Sequence, residues 1–232
     1  MAKTATTTAA VKSNIRQTTK NRGFDPDCRY CPRLAKFLDQ CAVDYPQYHA
    51  RPVPAFGSAR PALMVVGLAP GKHGANRSGR PFTGDHAGIM LYQTLHRHGF
   101  ANKPQSEHVG DGLKLQRCRI SNAVKCLPPD NKPTNDEINR CNAFLTYELE
   151  SLPRGAVILA LGGIAHKAIL KALNLRPAAH WPFGHGQEYE LEKGRVLLDS
   201  YHCSRYNTQT RRLTEPMFDA ILARARTLID RG

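Results

Sequence analysis

Four cysteines and three short polar runs hold the residues best able to do chemistry. Cys28 and Cys31 are two residues apart, the spacing by which a short loop puts two thiolates on one metal centre. Cys126 and Cys141 form a second pair, separated by LPPDNKPTNDEINR. Pro128, Pro129 and Pro133 force a loop there. Thr134 and Glu137 then make a capping box for a helix that carries Cys141 back toward Cys126. Four thiolates could close a zinc site or hold a four-iron cluster, and spacing alone does not choose between them. The plainer alternative is a set of unrelated buried thiols, which is how Cys41, Cys118 and Cys203 are read. Seven cysteines, an odd number, in a chain of 232 residues argue against a disulfide framework.

The first polar run is GLAPGKHGANRSGRPFTGD, from Gly67 to Asp85. The second is Asn122 followed by Lys125 and Cys126, and the third runs from Tyr201 through His202 to Asn207. The first superficially suggests a phosphate loop. From Gly67 to Gly71-Lys72 it is one residue short, and His73 stands where Ser or Thr is required, so a nucleotide triphosphatase is excluded. Its glycines would instead let the backbone approach a flat ligand and a phosphate closely. Asp85, at the end of the run, would also cap a helix starting near His86.

The formal charge is +14, from 33 Lys and Arg against 19 Asp and Glu, which argues for a polyanionic partner, nucleic acid first. Residues 1–24 carry Lys3, Lys12, Arg16, Lys20 and Arg22 with no acid and few large apolar residues, and are expected to be a disordered basic arm. Residues 25–232 are expected to form one domain, with no internal repeat or dividing linker. No apolar run approaches the ~20 residues of a membrane helix. No secretory signal pattern opens the chain, and no apolar interface stripe is visible, so a cytoplasmic monomer is expected.

Strands and helices alternate around these runs. Short apolar strands are expected at 62–67, 119–124, 156–161 and 195–200, the last pairing with 187–192 as a hairpin. Helices are expected at 86–98, 134–151, 163–173 and 214–230, with Thr214 as the final N-cap. This alternation implies an α/β layer sandwich with a mainly parallel sheet, whose ligands lie beyond the carboxyl ends of the strands. The polar runs follow those ends.

The runs GLAPGKHGANRSGRPFTGD, ISNAVKCLPP and YHCSRYNTQTRRLT together resemble the iron–sulfur uracil-DNA glycosylases, most closely family 5, the UDGb type. The resemblance covers about residues 25–225. It implies a three-layer α/β/α sandwich around a four-stranded parallel sheet, with a 4Fe-4S cluster held by Cys28, Cys31, Cys126 and Cys141. It also implies excision of uracil from DNA, and hypoxanthine or xanthine could be accepted by a less selective pocket. Family 4 carries Glu where this chain has Leu68, so the resemblance assigns the catalytic carboxylate to Asp85. This chain departs from the family's usual pattern at Gly71, Cys203 and Arg211.

The resemblance places His202 beside the uracil O2 as the donor that stabilises the leaving anion, and Asn122 on the base edge. Phe82 would stack on the flipped ring, and Gly67, Leu68, Ala69, Gly71, His73 and Asn76 would complete the pocket. Lys72, Arg77, Arg80, Arg205, Arg211 and Arg212 are candidates for phosphates, and Arg205, Tyr206 and Asn207 for a wedge filling the vacated stack. A solvated basic loop is the plainer reading of the last segment. A catalytically silent metal-cluster DNA-binding module is the competing function. Affinity for duplex DNA is expected to fall with salt with a log–log slope of about −0.9 per phosphate contacted, read by a titration over salt. A salt-independent affinity would contradict the DNA reading.

Overall fold

The computed structural model describes residues 23–231. The expected arm at 1–24 therefore lies outside them except for its last two residues. The elements run α1 (Pro32–Asp44), β1 (Phe56–Gly57), β2 (Leu63–Gly67), α2 (Ala75–Ser78), α3 (His86–Arg97) and β3 (Cys118–Asn122). Then follow α4 (Asn135–Glu150), β4 (Val157–Leu161), α5 (Gly163–Ala172), β5 (Glu188–Glu190), β6 (Val196–Ser200), α6 (Arg205–Gln209) and α7 (Glu215–Asp230).

The strands order as β1-β3-β2-β4-β6-β5. The four central strands are parallel, as expected, while β1 and β5 add an antiparallel edge on each side. The sheet is thus six-stranded and mixed. The hairpin of β5 with β6 was legible from residues 187–200, but the two-residue β1 carries no alternation of its own. Alternate residues of each buried strand feed opposite layers, which follows from the two-residue period. Leu63, Val65, Ile120 and Leu159 pack with Leu91 and Leu95 of α3 and Phe218 and Leu222 of α7. Met64, Val66, Ile158 and Ala160 pack with Leu145 and Leu149 of α4 and Ala165 and Ile169 of α5. The result is a three-layer sandwich.

Three helices were not expected. Helix α1 starts at Pro32, directly after Cys31, and buries Leu34, Leu38 and Cys41. Helices α2 and α6 have four and five residues, too few for a periodic signal. Helix α4 begins as expected, with Thr134 accepting from the Glu137 N–H and Glu137 answering on the Thr134 N–H.

Chain reversal places the functional loops. The chain leaves β2 for β3 on one side and then returns to β4 on the other. The crevice at the carboxyl ends is opened by that switch of direction. No helix among the described residues is long and apolar enough to cross a membrane.

A buried ion pair braces this frame. Lys125 Nζ is 2.8 Å from both Glu148 oxygens and 2.5 Å from Ser121 Oγ, with both charged side chains buried. It ties the segment after β3 to α4. Removing one partner strands the other charge without water. Lys125→Met is expected to lower unfolding free energy by about 3–5 kcal/mol in a urea titration. The double variant Lys125→Met, Glu148→Leu should recover most of that loss.

Candidate active site

Gly67 ends β2 and is the register partner of Asn122, the last residue of β3. Parallel pairing therefore sets Asn122 beside the first glycine of the long run. An ideal Cβ on Gly67 would lie 2.5 Å from Asn122 Oδ1 and 2.6 Å from the Phe82 ring. Only glycine lets these two side chains meet here. Asn122 is 3 % exposed, and its Oδ1 is buried with no hydrogen-bond partner. An acceptor left so is costly unless a ligand donates to it.

Phe82 adopts φ 56, a left-handed backbone that a bulky side chain rarely takes. Such a residue stores about 1–3 kcal/mol of strain and persists only where its surroundings impose it. Its ring is almost fully buried, joins the core beneath the sheet's end, and lies 5.9 Å from the His202 ring at 29°. Phe82 thus lies at the floor of the crevice.

Asp85 does two things at once. Its Oδ1 accepts from the Gly88 N–H at 2.9 Å, so it is the N-cap of α3, as its position suggested. Its Oδ2 faces the glycine run, where a Cβ on Gly74 would come within 2.7 Å and one on Gly71 within 3.7 Å. Gly74 is therefore required by the carboxylate, whereas Gly71 would accept a methyl group in ordinary contact. Burial raises the Asp85 pKa, partly offset by the Gly88 N–H, by His86 and by the Ala87 N–H.

His202 follows β6 by two residues and is partly buried. Desolvation lowers its pKa to about 4, so it is a neutral imidazole at neutral pH and a hydrogen-bond donor through one nitrogen. Its carbonyl accepts from Asn207 Nδ2 at 2.8 Å. Asn207, expected on the DNA side, is thereby turned inward to hold the catalytic strand end.

The remaining expected residues separate into groups. Leu68 and Ala69 follow Gly67, with Ala69 packed toward the cysteine cluster. His73 Nδ1 meets the Tyr48 hydroxyl at 2.8 Å, and Lys72 Nζ sits 4.9 Å over the Tyr45 ring. Asn76 is fully buried, with both amide atoms unpartnered. Arg77, Arg205, Arg211 and Arg212 are exposed, and Tyr206 is 70 % exposed on α6. The Arg212 guanidinium lies 4.6 Å over the Tyr201 ring. Arg211 has φ 58, which explains why glycine would suit this position.

Arg80 is a correction. It is 2 % exposed, pairs with Asp111 through both terminal nitrogens, and donates to Thr83 Oγ1, so it cannot reach a phosphate. Charge alone had suggested an exposed side chain. Sequence reasoning also missed Gly88, where a Cβ would overlap the Phe82 carbonyl oxygen. The only available signal was its place three residues after the capping Asp85.

Cys28, Cys31, Cys126 and Cys141 line one cleft with Leu34, Val124 and Phe144. The Lys125 N–H donates to Cys141 Sγ at 3.2 Å. Burial raises all four thiols, Cys31 to about 11 and Cys141 to about 12, and neighbouring thiols add to this at Cys31, Cys126 and Cys141. Among the described residues, no three His, Cys, Asp or Glu side chains gather tightly enough to hold one metal ion.

A family model described as the uracil DNA glycosylase superfamily matches residues 54–226. The chain belongs to the uracil-DNA glycosylase superfamily. Within it, the chain is similar to the Type-5 uracil-DNA glycosylase of Thermus thermophilus, 48% identical over 206 residues, covering 87% of this chain and 93% of the relative. The Type-5 enzyme of Pyrobaculum aerophilum is 40% identical over 203 residues, covering 86% and 88%. The Type-4 uracil-DNA glycosylase of that organism is 34% identical over 152 residues, covering 65% and 68%. The resemblance read from the three runs is borne out, and the glycosylase superfamily match spans Gly67, Phe82, Asp85, Asn122 and His202.

Gly67→Ala is expected to push Phe82 and Asn122 apart and to reduce base excision at least a hundredfold with little change in affinity for undamaged duplex, measured by single-turnover assay and anisotropy.

Proposed function

We propose that this protein is a monofunctional uracil-DNA glycosylase of DNA repair, which flips uracil out of DNA and hydrolyses its N-glycosidic bond to leave an abasic site. The unpaired Asn122 Oδ1 at the floor of the crevice carries this reading. It fits the N3–H of uracil, a donor that cytosine lacks at that atom.

As the bond between C1′ and the base nitrogen breaks, its electron pair leaves with the base and positive charge develops on the sugar. Asp85 Oδ2 is the carboxylate that holds the attacking water, takes its proton and stabilises that cation. The water oxygen forms the new bond to C1′. His202, neutral before the step, donates to the oxygen on which the leaving base gathers negative charge. A Schiff-base route finds no support at Lys125, whose amine is held by Glu148 and Ser121.

The half-buried Lys72 and the exposed Arg77, Arg205, Arg211 and Arg212 would hold phosphates, and the exposed Tyr206 would fill the space of the flipped base. Hypoxanthine and xanthine are proposed as further substrates on the family resemblance. We further propose a 4Fe-4S cluster held by Cys28, Cys31, Cys126 and Cys141. Four thiols on one cleft, with an N–H aimed at one sulfur, fit such a group. The cluster would supply cross-linking of the Cys28 loop to α4 and no step of the bond cleavage. A monomer in the cytoplasm completes the reading.

Duplexes containing uracil, hypoxanthine or only normal bases, scored for abasic sites, test the activity. Uracil release is expected, and Asp85→Ala should abolish most of it while still binding abasic product. Release from no lesion would leave the silent binding module, and an active Asp85→Ala would refute the carboxylate's role. Iron and sulfide analysis of anaerobically purified protein should give four of each; a colourless protein with one zinc would sink the cluster.

A further inference from the structure

The FTGD segment holds two demanding groups, Phe82 in its left-handed conformation and Asp85 with one oxygen on a cap and the other on the glycine run. Something must impose that backbone, and the flanking contacts show what does. The Pro81 carbonyl accepts from the buried Tyr92 hydroxyl at 2.7 Å. Thr83, with no exposed surface, receives the Arg80 Nε–H on its Oγ1 at 2.9 Å, and that Oγ1 lies 2.6 Å from Ser106 Oγ.

Arg80 is in turn fixed from the far side. Its two terminal nitrogens donate to Asp111 Oδ1 and Oδ2 at 3.1 and 2.6 Å, and one also donates to the His108 carbonyl at 2.5 Å. Its guanidinium lies 4.9 Å over the Phe56 ring. The Asp111 carboxylate also accepts from the backbone N–H groups of Glu107, His108 and Leu113. Both side chains of the pair are 2 % exposed. A fully buried ion pair is weak evidence for stability, because desolvation offsets most of the attraction. What a two-pronged guanidinium–carboxylate pair does supply is direction. Here the direction runs from the loop at 102–113 through Arg80 to the hydroxyl between Phe82 and Asp85.

We propose that Asp111 is a positioning residue for base excision, acting through Arg80 and Thr83 to hold Phe82 under the base and Asp85 toward the sugar. This rests on the active-site reading of Phe82 and Asp85 given above. Asp111 touches neither DNA nor the reacting atoms in this role. It sets the geometry of a segment whose displacement by about 1 Å is enough to cost up to a hundredfold in rate.

Thr83→Val tests the link without disturbing the ion pair, since valine keeps the shape and removes the acceptor. Its single-turnover excision of uracil from duplex is expected to fall at least tenfold, with affinity for abasic product within twofold of wild type. Thr83→Ser, which restores the hydroxyl, should return to within threefold of wild type. Asp111→Asn should lose rate in the same sense. Should that variant fail to fold, the two Thr83 variants decide. Thr83→Val at the wild-type rate, or a deficit that disappears once the folded fraction is corrected by thermal melting, would overturn the proposal. An inactive Asp85→Ala beside a fully active Thr83→Val defeats only the positioning role. A fully active Asp85→Ala defeats the active-site reading beneath it.

Discussion

The active site depends on one close approach, that of the Phe82 ring and the Asn122 amide to the bare α-carbon of Gly67. Any side chain there would occupy the space both need. Parallel pairing of β2 with β3 fixes one side of the approach, because Gly67 and Asn122 are register partners. The loop from Gly71 to Asp85 fixes the other by doubling back over the strand end. Strand pairing is set by backbone hydrogen bonds and cannot slip by one residue without turning the buried faces outward. The base pocket therefore inherits its precision from the sheet.

Around that point, burial sets the chemistry. Desolvation leaves His202 neutral and raises Asp85, while a single N–H cap keeps one carboxylate oxygen in place. A neutral donor and a partly desolvated carboxylate suit a reaction that separates charge between sugar and base. The cysteine cleft is joined to the same loops through the backbone. The Gly67 and Leu68 carbonyls accept from the Ala123 and Val124 N–H groups, three and two residues before Cys126. The crevice and the cluster site are thus two faces of one short segment.

Much of this was legible beforehand, and the exceptions have physical causes. The central strands and four of the five long helices announced themselves by apolar periodicity, all but α1, and the Thr134 capping box by residue type. The edge strand Phe56–Gly57 did not, because two residues have no period. Arg80 reads like its neighbour Arg77, yet it is buried because Asp111, distant in sequence, folds over it. Asn207 likewise reads as a surface amide until the turn of α6 brings it to the His202 carbonyl.

Residue type and spacing by themselves determined the layer architecture, the thiol pairs, the carboxylate at a helix start and the polar runs at strand ends. Those properties are local or periodic, so they are written along the chain. Tertiary structure alone decided which cation is buried, which oxygen of Asp85 faces the glycine run, and why Gly67, Gly74 and Gly88 tolerate no side chain. Each of these depends on an atom brought from a distant or reversed segment, and burial, which fixes the energy of every charge here, exists only once those segments have met.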